Sequence, residues 1–288
     1  MSFALIVKLL LVLSIFLTIF SLSLRARHVD WFYLFHNPGD GLRALVAMYL
    51  IVPVFAVCVA LNFDLDPAVK IAMVALSLSP IPPLLPSKQL KVGSEPDYVT
   101  GLLVGAAIAS LVVAPLASLL IDLFVPRHIG LSPARILPPL LLTVGFPLVA
   151  GRIVGAFLKP ETAQSAGNII AKGAMGLLIG CALILLYFLG PSIWTLVGNG
   201  SLLALVSMII VGLVAGYLLA GKPEHRAPLA LAASTRHPGV AIAIAATNFP
   251  DEKLAPAAII LFVLVNTVVG LPLLKQLMAF SDKRQTAP

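Results

Sequence analysis

Apolar residues fall in long blocks separated by short polar clusters along the whole chain. The blocks lie at about 4–24, 41–61, 67–86, 98–124, 134–158, 168–189, 201–220, 226–248 and 255–278. Each holds about 20 residues, the length an α-helix needs to cross a ~30 Å hydrocarbon core. No polar segment between them is long enough to fold as a separate soluble domain. The pattern predicts an all-α polytopic membrane protein of about nine transmembrane helices. One integral membrane domain is expected over residues 1–288, with 280–288 as a cytoplasmic tail.

Two blocks carry residues that spoil a helix. The third contains Ser79-Pro80-Ile81-Pro82-Pro83-Leu84-Leu85-Pro86-Ser87-Lys88, and the eighth contains Ala233-Ser234-Thr235-Arg236-His237-Pro238-Gly239. Proline removes a backbone donor and clashes with the preceding turn. A helix interrupted at membrane depth must have its freed backbone groups satisfied by protein or by a water-lined cavity. Paired interruptions at matching places in two halves point to a transporter's binding site.

The halves do match. Gly39-Asp40-Gly41 followed by Ala44-Leu45-Val46-Ala47-Met48 echoes Gly198-Asn199-Gly200 followed by Ala204-Leu205-Val206-Ser207-Met208. Pro82 and Pro115 are 33 residues apart, and Pro238 and Pro272 are 34 apart. The correspondences recur in order at offsets of 156 to 160 residues. Five spans separate the copies, so an inverted repeat is expected, with repeat one at about 1–125 and repeat two at about 134–279. The first span then pairs with the sixth, and the fifth has no counterpart.

Composition agrees: 60% of residues are hydrophobic, 11% are charged, and the mean hydropathy is +1.05. The net charge of +7 reads as the cytoplasmic Lys/Arg excess of a polytopic protein rather than a nucleic-acid surface. With the N-terminus outside, 13 Lys and Arg side chains fall on the cytoplasmic side and 5 on the outer side. The expected arrangement is N-terminus outside and C-terminus cytoplasmic, in a plasma membrane of the bacterial inner-membrane type. The apolar run from Phe3 to Leu24 exceeds a signal-peptide core and reads as a retained first helix. Cys58 and Cys181 both sit in apolar spans and imply no disulfide or metal framework. Asn199-Gly200-Ser201 fits a glycosylation sequon but reads better as a turn.

The order of spans, the two interrupted helices and the segment Gly239-Val240-Ala241-Ile242-Ala243-Ile244-Ala245-Ala246-Thr247-Asn248-Phe249 resemble the bile acid:sodium symporter superfamily. The resemblance covers nearly the whole chain. It implies a panel domain and a core domain, with two broken helices crossing in the core near the bilayer midplane. Substrates would be organic anions, usually driven by sodium. The sodium ligands that the resemblance implies do not carry over. An ungapped match places Lys88 on a sodium-ligating Asn, and Asp97 on the motif's Asp. It also places Gly101 and Gly105 on hydroxyl-bearing positions. The second motif, Glu-x-x-x-Gln-Asn, becomes Ala232, Arg236 and His237. Lys88 and Arg236 then read as resident cations standing in for sodium.

Each candidate has a plainer alternative. Arg236 is either a binding-site cation or a pin between crossing helices; mid-membrane charge costs roughly 2.5–3.5 kcal/mol on insertion scales and demands a partner. Lys88 reads equally as a loop lysine beside Lys91. His237 could carry a proton at physiological pH, or serve as a hydrogen-bonded packing residue. Ser77, Ser79, Ser234 and Thr235 either touch substrate or satisfy freed backbone groups, and Ser87 is a further candidate for substrate binding or coupling. Asn266 lies mid-span and reads as substrate contact or as helix–helix glue. Pro80, Pro82, Pro83, Pro86, Pro238 and Gly239 are helix-break residues in either reading.

The expected function is a secondary transporter for a small organic anion, working by alternating access without the two-sodium site. Coupling would be to H+ or absent, with Na+ the alternative. A non-transporting ligand sensor or structural subunit is the reading of another class. No cofactor, metal or nucleic-acid partner is expected. The chain carries no Gly-x-Ser-x-Gly, His-Glu-x-x-His, P-loop or paired intramembrane carboxylates, so no enzyme is expected.

Overall fold

A computed structural model describes residues 3–25, 32–82, 96–124, 132–270, 272–276 and 279. These form helices and connecting turns, with no strand among them. In chain order the helices are α1 (Phe3–Arg25), α2 (Pro38–Asn62), α3 (Pro67–Leu78), α4 (Pro96–Phe124), α5 (Pro133–Phe157) and α6 (Pro160–Leu196). They continue with α7 (Ser201–Leu219), α8 (Pro223–Ser234), α9 (Pro238–Asn248) and α10, which starts as Ala255–Val265 and runs on through Asn266–Gly270. A single turn at Tyr33–His36 precedes α2.

Proline both starts and loosens these helices. Seven of them, α2, α3, α4, α5, α6, α8 and α9, begin with Pro, whose fixed φ suits the first turn and whose missing N–H is not needed there. Three π-helical stretches, Val46–Ile51, Leu141–Gly145 and Asn266–Gly270, are each followed within two residues by Pro53, Pro147 or Pro272. Proline cannot donate to the preceding turn, and the ladder there widens. The entry to α3 is capped by Asp66, whose carboxylate accepts from the Ala68 N–H at 2.8 Å. Asp66→Ala should cost about 1 kcal/mol, read as a lowered midpoint in a thermal melt of the detergent-solubilised protein. Gly198 and Gly200 have φ of +143° and +82°, so the α6–α7 turn uses backbone that side-chain-bearing residues avoid. The same turn contains the Asn199 sequon.

Eight described helices are long and apolar enough to cross a membrane, counting α8 and α9 as one span. The expected ninth, 67–86, is represented by the 12-residue α3. Lys88, Ser87, Pro83 and Pro86 lie outside the described residues. The sixth span is longer than expected, 37 residues at Pro160–Leu196 rather than 168–189. Its first turns carry Glu161, Gln164 and Asn168, which hydropathy excludes but helix propensity permits.

Helices α1, α5 and α6 pack together, with α1 against both others. Gly151 of α5 lies against the backbone at Phe20, and Ser23 Oγ donates to the Leu148 carbonyl. A second set gathers α3 against α2, α9 and α10, and α7 against α8. Gly212 and Gly216 let α7 approach α8 closely. A Cβ at Gly212 would stand 2.6 Å from the Ala233 carbonyl oxygen, and one at Gly216 would meet the backbone of Leu229 and Ala230.

Candidate functional site

The two interruptions meet. Helix α3 ends at Leu78, and Ser79 is extended, with φ −78° and ψ 150°. Helix α8 ends at Ser234, residues 235–237 leave the helix, and α9 restarts at Pro238. The His237 N–H donates to the Pro80 carbonyl at 2.9 Å, so the breaks satisfy one another's backbone directly. The ends of the half-helices are also closed locally. The Thr235 N–H donates to Leu231 O, and the Ala241 N–H to His237 O.

Arg236 projects from this junction and is the largest fully buried side chain among the described residues, 1% exposed. Its Nη1 donates to the Ser79 carbonyl at 3.4 Å, and its Nη2 to the Met48 carbonyl. Its guanidinium carbon lies 5.7 Å from the centre of the Tyr49 ring. The Met48 oxygen is available for a physical reason. A π-type bond from it would need the N–H of residue 53, and residue 53 is proline. Tyr49 is held in turn by its hydroxyl, which donates to Ala106 O of α4 at 2.6 Å. One guanidinium thus ties α2, the α3 break and the α8–α9 break. No carboxylate pairs with it among the described residues, and its Nε finds no partner there.

Arg236 also lines a cavity of about 290 Å³. One wall is α1 and α6, through Leu11, Met175 and Leu178; the other is the α8–α9 break with α10. The walls are mostly apolar, and the polar groups cluster around Thr235, Arg236, Asn266 and Thr267. Asn266 Nδ2 lies 3.4 Å from Thr235 Oγ1 as a donor, joining α10 to the break. Pro82, Pro238 and Gly239 complete this end. Gly239 is tight: a Cβ there would collide with Ile15 of α1.

The structure therefore brings together Arg236, Thr235, Asn266, Pro82, Pro238 and Gly239 around one cavity. His237 is buried beside them, 1% exposed, and its Nδ1 finds no partner among the described residues. The serines behave differently. Ser77, Ser79 and Ser234 donate to Val74 O, Leu76 O and Leu231 O, each three residues back, and so close the ends of their own helices. Gly105 faces Leu34 of the single turn before α2, and Ala232 is fully buried.

Two partners of Arg236 escaped the sequence reading, Tyr49 and the Met48 carbonyl. Pro53, five residues beyond Met48, is the mark that could have exposed the free carbonyl. The groups around Arg236 can hold a cation without a metal: carbonyl oxygens surround a guanidinium, and no group of three or more His, Cys, Asp or Glu residues is placed to hold a metal ion among the described residues.

Comparison with known proteins agrees with this architecture. The model of the Sodium Bile acid symporter family matches residues 12–196. The chain is also 25% identical over 265 residues to a Bacillus subtilis (strain 168) protein named uncharacterized sodium-dependent transporter YocS; the alignment covers 86% of this chain and 77% of that protein. With more than half its length matched and multiple helical spans in place, this chain belongs to the sodium bile acid symporter family of membrane secondary transporters.

Proposed function

We propose that the protein carries a small organic anion through the cavity at Arg236, without the two-sodium site usual in its family. The observation that carries this reading is a fully buried guanidinium held by backbone carbonyls, with no carboxylate beside it among the described residues. Such a group keeps a full positive charge beside a mostly apolar cavity, where an anion gains most from it. Thr235 and Asn266 would orient the anionic head, and the apolar walls would take the organic body. The inverted repeat supplies the movement. Helices α1, α5 and α6 form the panel, the remaining helices form the core, and the cavity between them opens by relative displacement. Arg236 replaces a coupling ion at the junction of the breaks, leaving transport proton-linked or uncoupled. Lys88 would add a second resident cation at the first break, and the N-terminus lies outside.

A sodium-coupled cycle is the second reading, favoured by the word sodium-dependent in the name of the Bacillus relative. One experiment separates the two. Purified protein is melted in sodium and in choline, with a panel of carboxylates, sulfonates and steroid acids, and anions that stabilise it are then tested for counterflow in proteoliposomes. A ligand at 100 times its Kd stabilises the folded state by about 2.7 kcal/mol. At least one anion should raise the midpoint and exchange in choline as well as in sodium. A saturable, sodium-specific rise, with flux only in sodium, would install the second reading.

A further inference from the structure

Away from the cavity, three helices share a second polar contact. His225, the third residue of α8, is completely buried. Its Nδ1 lies 3.4 Å from Asp40 Oδ2 of α2, and Asp40 is only 12% exposed. The imidazole stacks on the Tyr98 ring of α4, with centroids 3.6 Å apart and planes parallel. Tyr33 meets both rings edge-on, at 5.8 Å from Tyr98 and 6.4 Å from His225. Asp40 is shared: its Oδ1 lies 3.5 Å from Arg43 Nη1. Gly221 has no side chain where Arg43 and Asp40 come together.

Charged and titratable groups lie around His225 on each described element packed against it. On α2 they are Asp40 and Arg43, on α4 Tyr98 with the exposed Asp97 beside it, and on the preceding turn Tyr33. Helix α7, packed along α8, has Tyr217 as its one titratable residue, and Tyr217 lies under Arg226, 5.2 Å from its ring centre. The neighbours of His225 in sequence are Lys222, Glu224 and Arg226. Among the described residues Asp40 is a carboxylate that faces the imidazole, and Arg43 shares it.

The same elements meet again further along: α2 and α4 about 12 Å on, at eight residues' rise, and α8 at the break beyond its end, eleven residues after His225. Asp40 leads to Met48 and Tyr49, Tyr98 leads to Ala106, and His225 leads through α8 to Arg236. The two polar contacts are rungs between the same rails, and α8 is the rigid strut that joins them. We propose that the Asp40–His225 pair is a proton-binding site of the transport cycle, whose occupancy sets the position of α8 and so of Arg236 in the cavity. Protonated, the imidazolium completes an ion pair that holds α8 to α2. Deprotonated, the neutral imidazole no longer attracts Asp40, the carboxylate is left to Arg43, and the α8–α9 break is freer to move. Imidazole is the side-chain group suited to taking up and releasing a proton in such a step. The proposal rests on the reading of Arg236 as the anion site and gives that reading its coupling ion.

The test uses the full chain in proteoliposomes, with Cys58→Ala and Cys181→Ala and one introduced cysteine, Thr235→Cys, at the cavity. The probe is an anionic sulfonate methanethiosulfonate, and its rate of modification is followed from pH 5 to pH 8. Each rate is divided by that of the same cysteine in a His225→Gln background, which cancels ionisation of the thiol. The ratio should rise at least about fivefold between pH 5 and pH 8, the scale of a modest coupling. The rise should vanish in Asp40→Asn and persist in His237→Gln, which keeps the pair and removes the other buried imidazole. A flat ratio, or a rise that survives in Asp40→Asn, overturns the proposal. A rise lost in His237→Gln moves the proton to the break. Should His225→Gln fail to fold, Asp40→Asn serves as the reference and His225→Asn as the test. Failure of the anion-site reading looks different: the cysteine would then react no faster with the anionic reagent than with a cationic one, and Arg236→Gln would change neither rate.

Discussion

Arg236→Gln should leave a folded, monodisperse protein that no longer takes up anion, with uptake reduced roughly 100-fold or more. The estimate follows from one charge-assisted interaction with substrate, about 1.5–3 kcal/mol, strengthened in a water-poor cavity. Folding should survive because opposite effects nearly offset. The substitution relieves a buried charge, and the Gln amide can still donate to Ser79 O or Met48 O. Arg236→Leu is the harsher variant. It leaves both carbonyls without this donor, at about 1–3 kcal/mol each, and should lower the melting midpoint as well. Arg236→Lys should resemble Gln in transport rather than wild type, since a single ammonium cannot reproduce a planar fork reaching two separate carbonyls. Uptake into proteoliposomes and thermal melts of the same preparations decide the matter. Wild-type uptake in Arg236→Gln would make the guanidinium a structural pin and move the site elsewhere.

The second large effect is on folding. Gly216→Val should abolish the monodisperse peak in size-exclusion chromatography, and Gly212→Val should do the same. A Cβ at either position would stand inside contact distance of α8 backbone at Leu229, Ala230, Ala233 or Ser234. Backbone cannot swing aside as a flexible side chain can, so α7 and α8 must separate. Separation of the pair strips contacts along the whole of α8, which exceeds the roughly 1–3 kcal/mol of ordinary overpacking. Helix association in membranes depends on such close approach of small residues, because lipid leaves little hydrophobic drive between helices. Gly176→Ala on α6 is the control. Nothing lies within 4 Å of a Cβ there, and Ala is the better helix former by about 1 kcal/mol. It should be neutral or slightly stabilising, and a loss of folding in that variant would show that glycine content, rather than the α7–α8 contact, matters.

The broken helices were legible because proline and glycine act locally. Pro80, Pro82 and Pro238 each remove a helix donor where they stand, and the interruptions at 79–82 and 235–237 fall within the segments expected, whereas single prolines such as Pro115 and Pro191 are carried inside α4 and α6. Arg236 stood out for an equally local reason, a lone cation inside an apolar block. Its partners were not legible. The carbonyls of Ser79 and Met48 carry no mark of side-chain type, and Tyr49 looks in sequence like any aromatic residue of a span. Thr235 and Asn266 were singled out as polar residues at membrane depth. That they face one another at 3.4 Å, while Ser234 turns back to Leu231, depends on where each side chain leaves its helix. The length of α6 was misjudged for a related reason. Hydropathy finds where a helix meets lipid, not where its hydrogen-bond ladder ends.

The Asp40–His225 contact shows the same limit from the other side. In sequence the residues are 185 apart, each near the polar start of a helix, and neither interrupts an apolar block. What the sequence determined by itself was the class of molecule: membrane-spanning helices, their order, two interruptions and a buried cation. Each of these follows from the preference of a short stretch of chain for lipid or water and from the backbone limits of single residues. Only the tertiary structure decided that the interruptions touch, that one guanidinium joins three elements, and that a cavity opens between α6 and the break. Those facts depend on which helix faces of similar apolar character pack together. Close approach of glycines and pairing of freed backbone groups settle that choice, and both are properties of two segments at once.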